Sequence, residues 1–129
     1  MTASGAPIVV TLPPRATYLF VARTVTAGLA ARTQLPFDSV EDLRIAVTEA
    51  CGRLIAANHG ATEMRLELRS SDDSLTVRVS VDAEGVEWPG ADGHTSTSWQ
   101  LIEGLCDDAR DEMIAGQPAT VLRMQARNR

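Results

Sequence analysis

The spacing of hydrophobic positions changes several times along this chain, and each change predicts the boundary of an element. A β-branched run over residues 7–12 is closed by Pro13-Pro14, which predicts an edge strand because proline cannot donate to a sheet ladder. Apolar residues then recur at helical spacing from about 15 to 32, which predicts a first helix. A second helical stripe follows, and Asp38 or Ser39 is expected to cap its start.

The middle of the chain changes from helical to strand periodicity. The second helix is predicted to end at Asn58-His59-Gly60, since glycine is common just after a helix. Residues 63–69 and 75–81 alternate polar and apolar side chains, which predicts two strands that each bury one face. Residues 82–97 are rich in Gly, Asp, Ser and Thr and follow no period, so they are predicted to form a loop.

A third helix and a hairpin complete the pattern. Thr97 or Ser98 is expected to open this helix, which is predicted to run to Cys106. Residues 110–114 and 119–126 are predicted to pair as a hairpin. The order β-α-α-β-β-α-β-β predicts an α+β fold, a two-layer α/β sandwich with the helices on one face of a mixed, largely antiparallel sheet.

Composition restricts the classes of protein that fit this pattern. A chain of 129 residues with 44% hydrophobic residues has the size of a single domain, predicted to span residues 1–129 with a flexible segment at 1–6. No apolar run approaches the roughly 18 residues that span a bilayer, and residues 1–7 lack the basic start of a secretory signal. The net charge of −5 argues against nonspecific nucleic-acid binding, which needs a basic surface. We therefore expect a cytoplasmic protein that binds neither membranes nor nucleic acids.

One helical stretch carries a specific resemblance. The sequence Asp42-Leu43-Arg44-Ile45-Ala46-Val47-Thr48-Glu49-Ala50-Cys51, taken with the order of elements, resembles the second helix of the anti-sigma factor/serine kinase family. That family belongs to the GHKL (Bergerat-fold) ATPase superfamily, and the resemblance covers roughly residues 8–126. It implies a histidine-kinase-like ATPase fold that binds a sigma factor. For active members it also implies phosphorylation of a serine on an anti-anti-sigma partner, a STAS-domain protein.

The family motif on this helix is E-x-x-x-N. Glu49 matches its glutamate, which the resemblance implies to be the general base of an active kinase. Arg53 stands at the position of the magnesium-binding asparagine, and arginine has five donors but no acceptor with which to hold a cation. Two roles for Arg53 stay open: direct contact with phosphate oxygens, or a helix ion pair with Glu49. No cofactor or metal is firmly implied, and ATP with Mg²⁺ remains the alternative.

The family's adenine-binding turn, D-x-G-x-G, is only partly matched. Gly85 can take the place of its first glycine, but Ala83 then stands where the aspartate should be. Asp82 could serve only if the end of the strand shifts by one residue. Glu87 occupies the second glycine position, where a side chain crowds the approach of a ligand. The resemblance therefore implies that residues 82–97 form a degenerate ATP lid.

The phosphate-binding G-x-G before the third helix is also replaced. Ser96 and Ser98 stand where the glycines belong. Their hydroxyls could donate to a phosphate at the start of the helix, or they could cap that helix in the ordinary way. Together with Arg53, Asp82 and Gly85, these serines form the vestigial nucleotide site that the resemblance implies.

The partner-binding segment of the family is better matched. Val21-Ala22-Arg23-Thr24-Val25 resembles the segment whose arginine contacts both partners, and Arg23 falls off the apolar stripe. The resemblance thus implies an anti-sigma factor that sequesters a sigma factor and releases it by partner switching with an anti-anti-sigma protein. An active serine/threonine kinase is the alternative, and a regulatory dimer unconnected with sigma factors is a third. The family often dimerises through its first helices, so a homodimer is expected in each case.

The remaining candidate residues are interpreted as structural. His59 and His94 have no carboxylate or cysteine at ligand spacing, so no metal role is expected. Trp88 is expected to cover the edge of the core and Trp99 to pack under the loop. The two cysteines fit buried, inert packing better than exposed reactive thiols, and their redox role is left open.

Overall fold

The computed structural model describes residues 6–57, 60–90 and 94–126. A 3₁₀ turn at Ala16–Tyr18 leads into the first helix. The elements are β1 (Ile8–Leu12), α1 (Leu19–Ala30), α2 (Phe37–Ala57), β2 (Met64–Ser70), β3 (Ser74–Val81), α3 (Thr97–Leu105), β4 (Asp108–Ile114) and β5 (Gln117–Gln125). The predicted order of elements is confirmed. Residues 58–59 of the predicted helix end at 58–60, and residues 1–5 of the predicted flexible segment 1–6, lie outside the described residues.

The predicted cap of the second helix is wrong, whereas the third helix begins at Thr97, one of the two residues expected to open it. The second helix begins at Phe37, so Asp38 lies inside its first turn, where a carboxylate favours the helix dipole, and does not cap it. The third helix is capped by Ser96, whose Oγ accepts a hydrogen bond of 3.1 Å from the backbone N–H of Trp99. The loop after β3 therefore ends one residue earlier than predicted. Adjacent Ser and Thr residues are chemically equivalent caps, so the sequence alone could not choose among them.

The five strands form one sheet in the order β1-β2-β3-β5-β4. Every pairing between these strands is antiparallel, so the expectation of a mixed sheet is corrected. The chain leaves β3, passes through the loop and α3, forms the outer strand β4 and returns by a tight turn into β5 beside β3. The predicted edge position of β1 is confirmed, and the architecture is the predicted two-layer α+β sandwich.

The core lies between α2 and the inner face of the sheet. Along β2 and β3 every second residue is buried, as the alternating pattern predicted. The fully buried large side chains come from the central helix, three strands and α3: Leu43, Val47, Leu54, Met64, Leu66, Leu68, Leu75, Val77, Val79, Val81, Ile102 and Leu122. The helix α2 is therefore held rigidly across the middle of the sheet, and the residues on its exposed flank have fixed positions.

The two outer surfaces of the sandwich differ in character. On the sheet side, Arg65, Arg69 and Arg78 surround Glu67 at 3.3–3.6 Å, so charged side chains cover the strands. The helices instead expose large hydrophobic side chains, among them Phe20 on α1 at 56% and Phe37 on α2 at 75%. None of the helices in the described part of the chain is long and apolar enough to span a membrane.

Candidate functional site

The candidate site lies where the second half of α2 meets the start of α3 and the outer strand β4. Arg53 extends from α2 and donates two hydrogen bonds to the carboxylate of Asp111 on β4, from Nη1 at 3.0 Å and from Nη2 at 2.9 Å. The Arg53 side chain is 9% exposed and that of Asp111 is fully buried. This bidentate pair is the strongest geometry available to an arginine and a carboxylate, so the guanidinium has a fixed position.

Two indole rings enclose the Arg53 guanidinium. Its central carbon lies 4.8 Å from the ring centroid of Trp88 and 4.7 Å from that of Trp99, both within the range of cation–π attraction. Trp99 is 2% exposed, and Trp88 donates from Nε1 to the carbonyl oxygen of Ala119 at 3.0 Å. The expected packing roles of both tryptophans are thus observed, and both rings also contact a cation.

Asp111 has two further partners. The hydroxyl of Thr120 donates to its Oδ1 at 2.6 Å, and the Nε2 atom of His94 lies 3.0 Å from its Oδ2. The imidazole of His94 also stacks on Trp99 with centroids 4.5 Å apart. The interpretation of His94 as isolated from carboxylates is therefore wrong, because the loop brings it to a residue 17 positions away in the chain.

The pKa of Asp111 reflects a balance between burial and hydrogen bonding. Burial acts to raise it, but hydrogen bonds from Arg53 and Thr120, together with the positive charge of Arg53, outweigh that effect. The pKa of Asp111 is therefore held below its ordinary value, and the carboxylate stays ionised. In this buried pair the positive charge of Arg53 and the negative charge of Asp111 offset each other.

Glu49 does not pair with Arg53, although the two lie one turn apart on α2. Its Oε1 instead accepts a hydrogen bond of 2.9 Å from the hydroxyl of Ser98, at the start of α3. Among the described residues no cation lies within ion-pair distance of Glu49. Of the two roles left open for Arg53, the ion pair with Glu49 is thus wrong. The two α2 residues take part in separate interactions, each with a different element.

Glu49, Arg53 and Ser98 line an open cavity of about 350 Å³. The other lining residues are small or apolar: Leu19, Thr48, Gly52 and Ala56. The structure therefore brings three of the predicted site residues together at one place. Ser96 lies nearby in sequence, but its side chain caps α3, which is the second of the two roles left open for it.

Asp82 and Gly85 lie apart from this cavity, and their contacts are local. The Asp82 carboxylate accepts hydrogen bonds from the backbone N–H groups of Thr62 at 2.7 Å and Glu63 at 3.0 Å, and also from the Thr62 hydroxyl. The hydroxyl bond is the main cause of the lowered pKa of Asp82. Gly85 has a φ of +70°, so it supports the turn after β3. The one-residue shift of the strand end that would let Asp82 read an adenine is not observed. Both carboxylate oxygens of Asp82 instead bind Thr62 and Glu63, just before β2.

Arg23 lies on α1 at the predicted position and is half-buried instead of fully exposed. No hydrogen bond or ion pair joins its guanidinium to another residue in the described ranges. A cation in this state can form a new interaction without first breaking an old one.

The cysteine thiols are free and of low reactivity. Cys51 is buried in α2, and burial raises its pKa to about 12. Burial, followed by the negative charges of Asp107, Asp42 and Asp108, also raises the pKa of Cys106 to about 12. The thiolate is the reactive form, so neither residue has the environment of a redox-sensing cysteine.

Comparison with protein families agrees with this architecture. The family model described as "Histidine kinase-like ATPase domain" matches residues 12–126, which is most of the chain. The chain belongs to the histidine kinase-like ATPase domain family. It is 33% identical over 102 residues to "Anti-sigma-F factor RsbW" of Mycobacterium tuberculosis, covering 78% of this chain and 58% of that relative. It is also 33% identical over 76 residues to "Serine-protein kinase RsbW" of Bacillus cereus, covering 50% of this chain and 48% of that relative.

A third relative is "Serine-protein kinase RsbW" of Bacillus thuringiensis, 32% identical over 76 residues, which cover 50% of this chain and 48% of the relative. The chain therefore spans about half the length of these curated relatives. The fold and the family named in the sequence resemblance are confirmed.

The residues at this family's nucleotide site do not fit Mg²⁺ with a nucleotide in this chain. Magnesium requires oxygen ligands, and a positive guanidinium stands at the position that would supply one. Within the described ranges no group of three or more His, Cys, Asp or Glu residues could hold a metal ion. The Asp111 carboxylate that could have attracted a cation already binds Arg53 through both oxygens.

Asp111, which binds Arg53 and fixes the position of its guanidinium, was not among the predicted site residues. A signal was available in the predicted strand 110–114. Residues of a strand alternate between faces, and Arg110 and Glu112 on either side of Asp111 form an ion pair at the surface. Asp111 must then point toward the helices, and a buried carboxylate requires a partner. Nothing in the local pattern identified Arg53 as that partner, because 58 residues separate the two.

Proposed function

We propose that this chain sequesters a sigma factor without using ATP and releases it by partner exchange with an anti-anti-sigma protein of the STAS class. The observation that carries this proposal is the Arg53–Asp111 pair between Trp88 and Trp99. The pair supports the proposal because the sequence resemblance assigns the Arg53 position to the magnesium-binding asparagine, and because two of the guanidinium donors already bind Asp111. A domain that keeps the fold without its metal position can still act as a protein-binding module.

The contact surface for these partners is proposed to be the outer side of the helices. This side carries the exposed Phe20 and Phe37, while charged side chains in ion pairs cover the opposite side of the sheet. Arg23 lies on α1 within the same side, and arginines with apolar neighbours are frequent anchors of protein interfaces. A sigma-factor partner also implies that the protein acts in the cytoplasm.

Nucleotide titration tests the ATP-independent part of the proposal. We expect Mg·ATP and Mg·ADP at millimolar concentration to give no saturable heat in a calorimeter with the purified protein. Co-purification from the source cells, in buffer without nucleotide, should recover a sigma factor, and addition of the purified STAS protein should release it. Saturable micromolar nucleotide binding, or the absence of any sigma factor among the recovered proteins, would overturn the proposal.

A matched pair of arginine variants tests the proposed surface. Arg23→Ala should weaken binding of the recovered sigma factor by about 30-fold or more, the effect of losing an interface anchor worth about 2 kcal/mol. Arg32 lies just beyond the end of α1 and is exposed, so Arg32→Ala serves as the control and should change affinity less than about threefold. Equal effects of the two variants would exclude a specific role for Arg23.

An active serine/threonine kinase is the second candidate, and the Ser98–Glu49 contact favours it. The carboxylate of Glu49 accepts a hydrogen bond from a serine hydroxyl, which is the contact that a general base makes with a substrate serine. This candidate predicts phosphate transfer from ATP to a serine of the STAS protein and its loss in Glu49→Gln. Incubation with labelled ATP separates the two candidates, since sequestration alone predicts no label on the STAS protein.

A further inference from the structure

The cavity beside Glu49 combines apolar walls with two charged residues, Glu49 and Arg53. Leu19 of α1 and the small residues Gly52 and Ala56 of α2 form its walls. The hydroxyl of Thr48 also faces this region, but it already donates to the carbonyl oxygen of Arg44 within α2 at 2.9 Å. The cavity volume of about 350 Å³ is at the low end of the range for ligand pockets, which measure about 300–1,000 Å³.

The charge of Glu49 is not neutralised by a cation in the described part of the chain. Ser98 is its one hydrogen-bond partner there, and a neutral hydroxyl leaves the carboxylate charge in place. Arg53 also lines the cavity, but the bidentate carboxylate of Asp111 compensates its charge. The cavity therefore presents one uncompensated carboxylate at the end of an apolar wall.

We propose that this cavity binds the side chain of a lysine or arginine from the protein partner. The alkyl stem would pack along Leu19, Gly52 and Ala56, and the charged end would donate to Glu49. Lysine and arginine have this division into an apolar stem and a cationic end. The identity of the partner rests on the proposed function, whereas the chemistry of the bound side chain rests on the cavity alone.

Other occupants fit these residues less well. A neutral apolar side chain would remove water from the Glu49 carboxylate without replacing its hydrogen bonds, which is costly. An anion would be repelled by Glu49 and by the net charge of −5, and the Arg53 guanidinium in the cavity is already bound to the Asp111 carboxylate. That same net charge attracts a basic partner from a distance and raises its rate of association.

A small cation tests the cavity without requiring the partner protein. We would titrate ¹⁵N-labelled protein with n-butylammonium and follow backbone amide signals by NMR, with n-butanol as a probe of the same stem length but no charge. Saturable shifts are expected at Leu19, Gly52 and Ala56 with n-butylammonium. Glu49→Gln should weaken this binding about tenfold or more, because it removes a charge-assisted hydrogen bond worth about 1.5–3 kcal/mol.

A second variant blocks the cavity without disturbing the fold. Apart from its chain neighbours and the backbone of its own helix, a Cβ added at Gly52 meets no heavy atom within 4 Å, so Gly52→Leu starts its side chain in open space. Gly104 of α3 is equally open and does not line this cavity, so Gly104→Leu is the matched control. Gly52→Leu should abolish the shifts and Gly104→Leu should retain them.

Two outcomes would overturn this inference. One is the absence of saturable shifts at these residues; the other is equal binding of n-butanol and n-butylammonium, which would leave no role for the carboxylate. Neither outcome bears on whether a sigma factor is recovered from cells, so failure of the cavity proposal and failure of the proposed function can be distinguished.

Discussion

Arg53 and Glu49 lie four positions apart on α2, a spacing at which oppositely charged side chains usually pair on a helix surface. Here each one pairs across the fold, Arg53 with Asp111 on β4 and Glu49 with Ser98 on α3. A buried bidentate pair between two indoles stabilises Arg53 more than an exposed helix pair worth about 0.2–0.5 kcal/mol could. The partner of each charged residue was therefore determined by its neighbours in space and not by its spacing along the helix.

Removal of the Arg53 guanidinium should be costly. Arg53→Met leaves Asp111 buried without its cation, and we expect the free energy of unfolding in urea to fall by about 3–5 kcal/mol. The double variant Arg53→Met/Asp111→Leu should recover part of this loss, since it removes both charges. Arg44→Met is the control, because the Arg44–Glu41 pair is 40% and 37% exposed and should contribute less than about 0.5 kcal/mol. A loss below about 1 kcal/mol in Arg53→Met would contradict the buried character of the pair.

The lowered pKa of Asp111 predicts a dependence of stability on acid. A carboxyl whose pKa is lower in the folded state stabilises it fully above the ordinary value of about 3.9, and this contribution is lost as the pH falls through the folded-state pKa. The unfolding free energy should therefore fall as the pH drops below about 4, and Asp111→Asn should flatten that decline. Unfolding curves at several pH values would measure it; Asp82→Asn, at the other residue with a lowered pKa, is the comparison. An unchanged slope in Asp111→Asn would contradict the role of Asp111.

At the scale of elements, the start of α3 connects the loop to the candidate site. Ser96 caps this helix through the backbone N–H of Trp99, and two positions later Ser98 reaches Glu49 on α2. The ring of the capped residue Trp99 lies 4.7 Å from the Arg53 guanidinium carbon. Ser96 thus stabilises the start of α3, and Ser98 joins α3 to α2.

The cap at Ser96 should make a measurable contribution. Ser96→Ala removes the acceptor for the Trp99 N–H, and we expect the free energy of unfolding to fall by about 1 kcal/mol. Thr97→Ala is the matched control on the first helical residue, which is exposed, and should change stability by less than about 0.5 kcal/mol. Chemical denaturation followed by tryptophan fluorescence would measure both. Equal effects would show that the capping assignment is wrong.

The elements themselves were largely predictable because their signals are local. The alternation in β2 and β3 and the helical stripe of α2 each require only neighbouring residues, and all three elements are observed. Exact starts were less predictable, since the choice among Ser96, Thr97 and Ser98 depends on how the loop enters the helix. The pairing of β3 with β5 depended on the path of the chain through α3 and β4, which no local pattern specifies.

At the scale of the whole molecule, the two surfaces of the sandwich favour different roles. The sheet surface is covered by ion pairs, such as Arg78 with Glu67 and with Glu112. The helices expose Phe20, Phe37 and Ile45, and the edge strands β1 and β4 expose Ile8, Val9 and Met113. The two aromatic rings are the largest of these groups, and exposed apolar patches are typical of protein interfaces. The expected homodimer through the first helices would cover part of the helical surface.

Sedimentation analysis tests the dimer. We expect the protein to sediment as a dimer at micromolar concentration and Phe20→Glu, on α1, to sediment as a monomer, because a charge in an apolar interface loses its hydration. Phe37 is even more exposed but lies at the start of α2, so Phe37→Glu is the control and should leave the dimer intact. If the unmodified protein sediments as a monomer, the dimer prediction is wrong, and the proposed partner binding is not affected.

The sequence by itself determined the order of elements, the class of fold and the family. These follow from residue types and spacings that act over a few positions. Only the tertiary structure decided that Arg53 binds Asp111, that Trp88 and Trp99 enclose it, and that Glu49 faces a cavity and accepts a hydrogen bond from Ser98. The physical reason is that buried charges select partners by distance in the folded chain, and the residues concerned lie 58 and 49 positions apart.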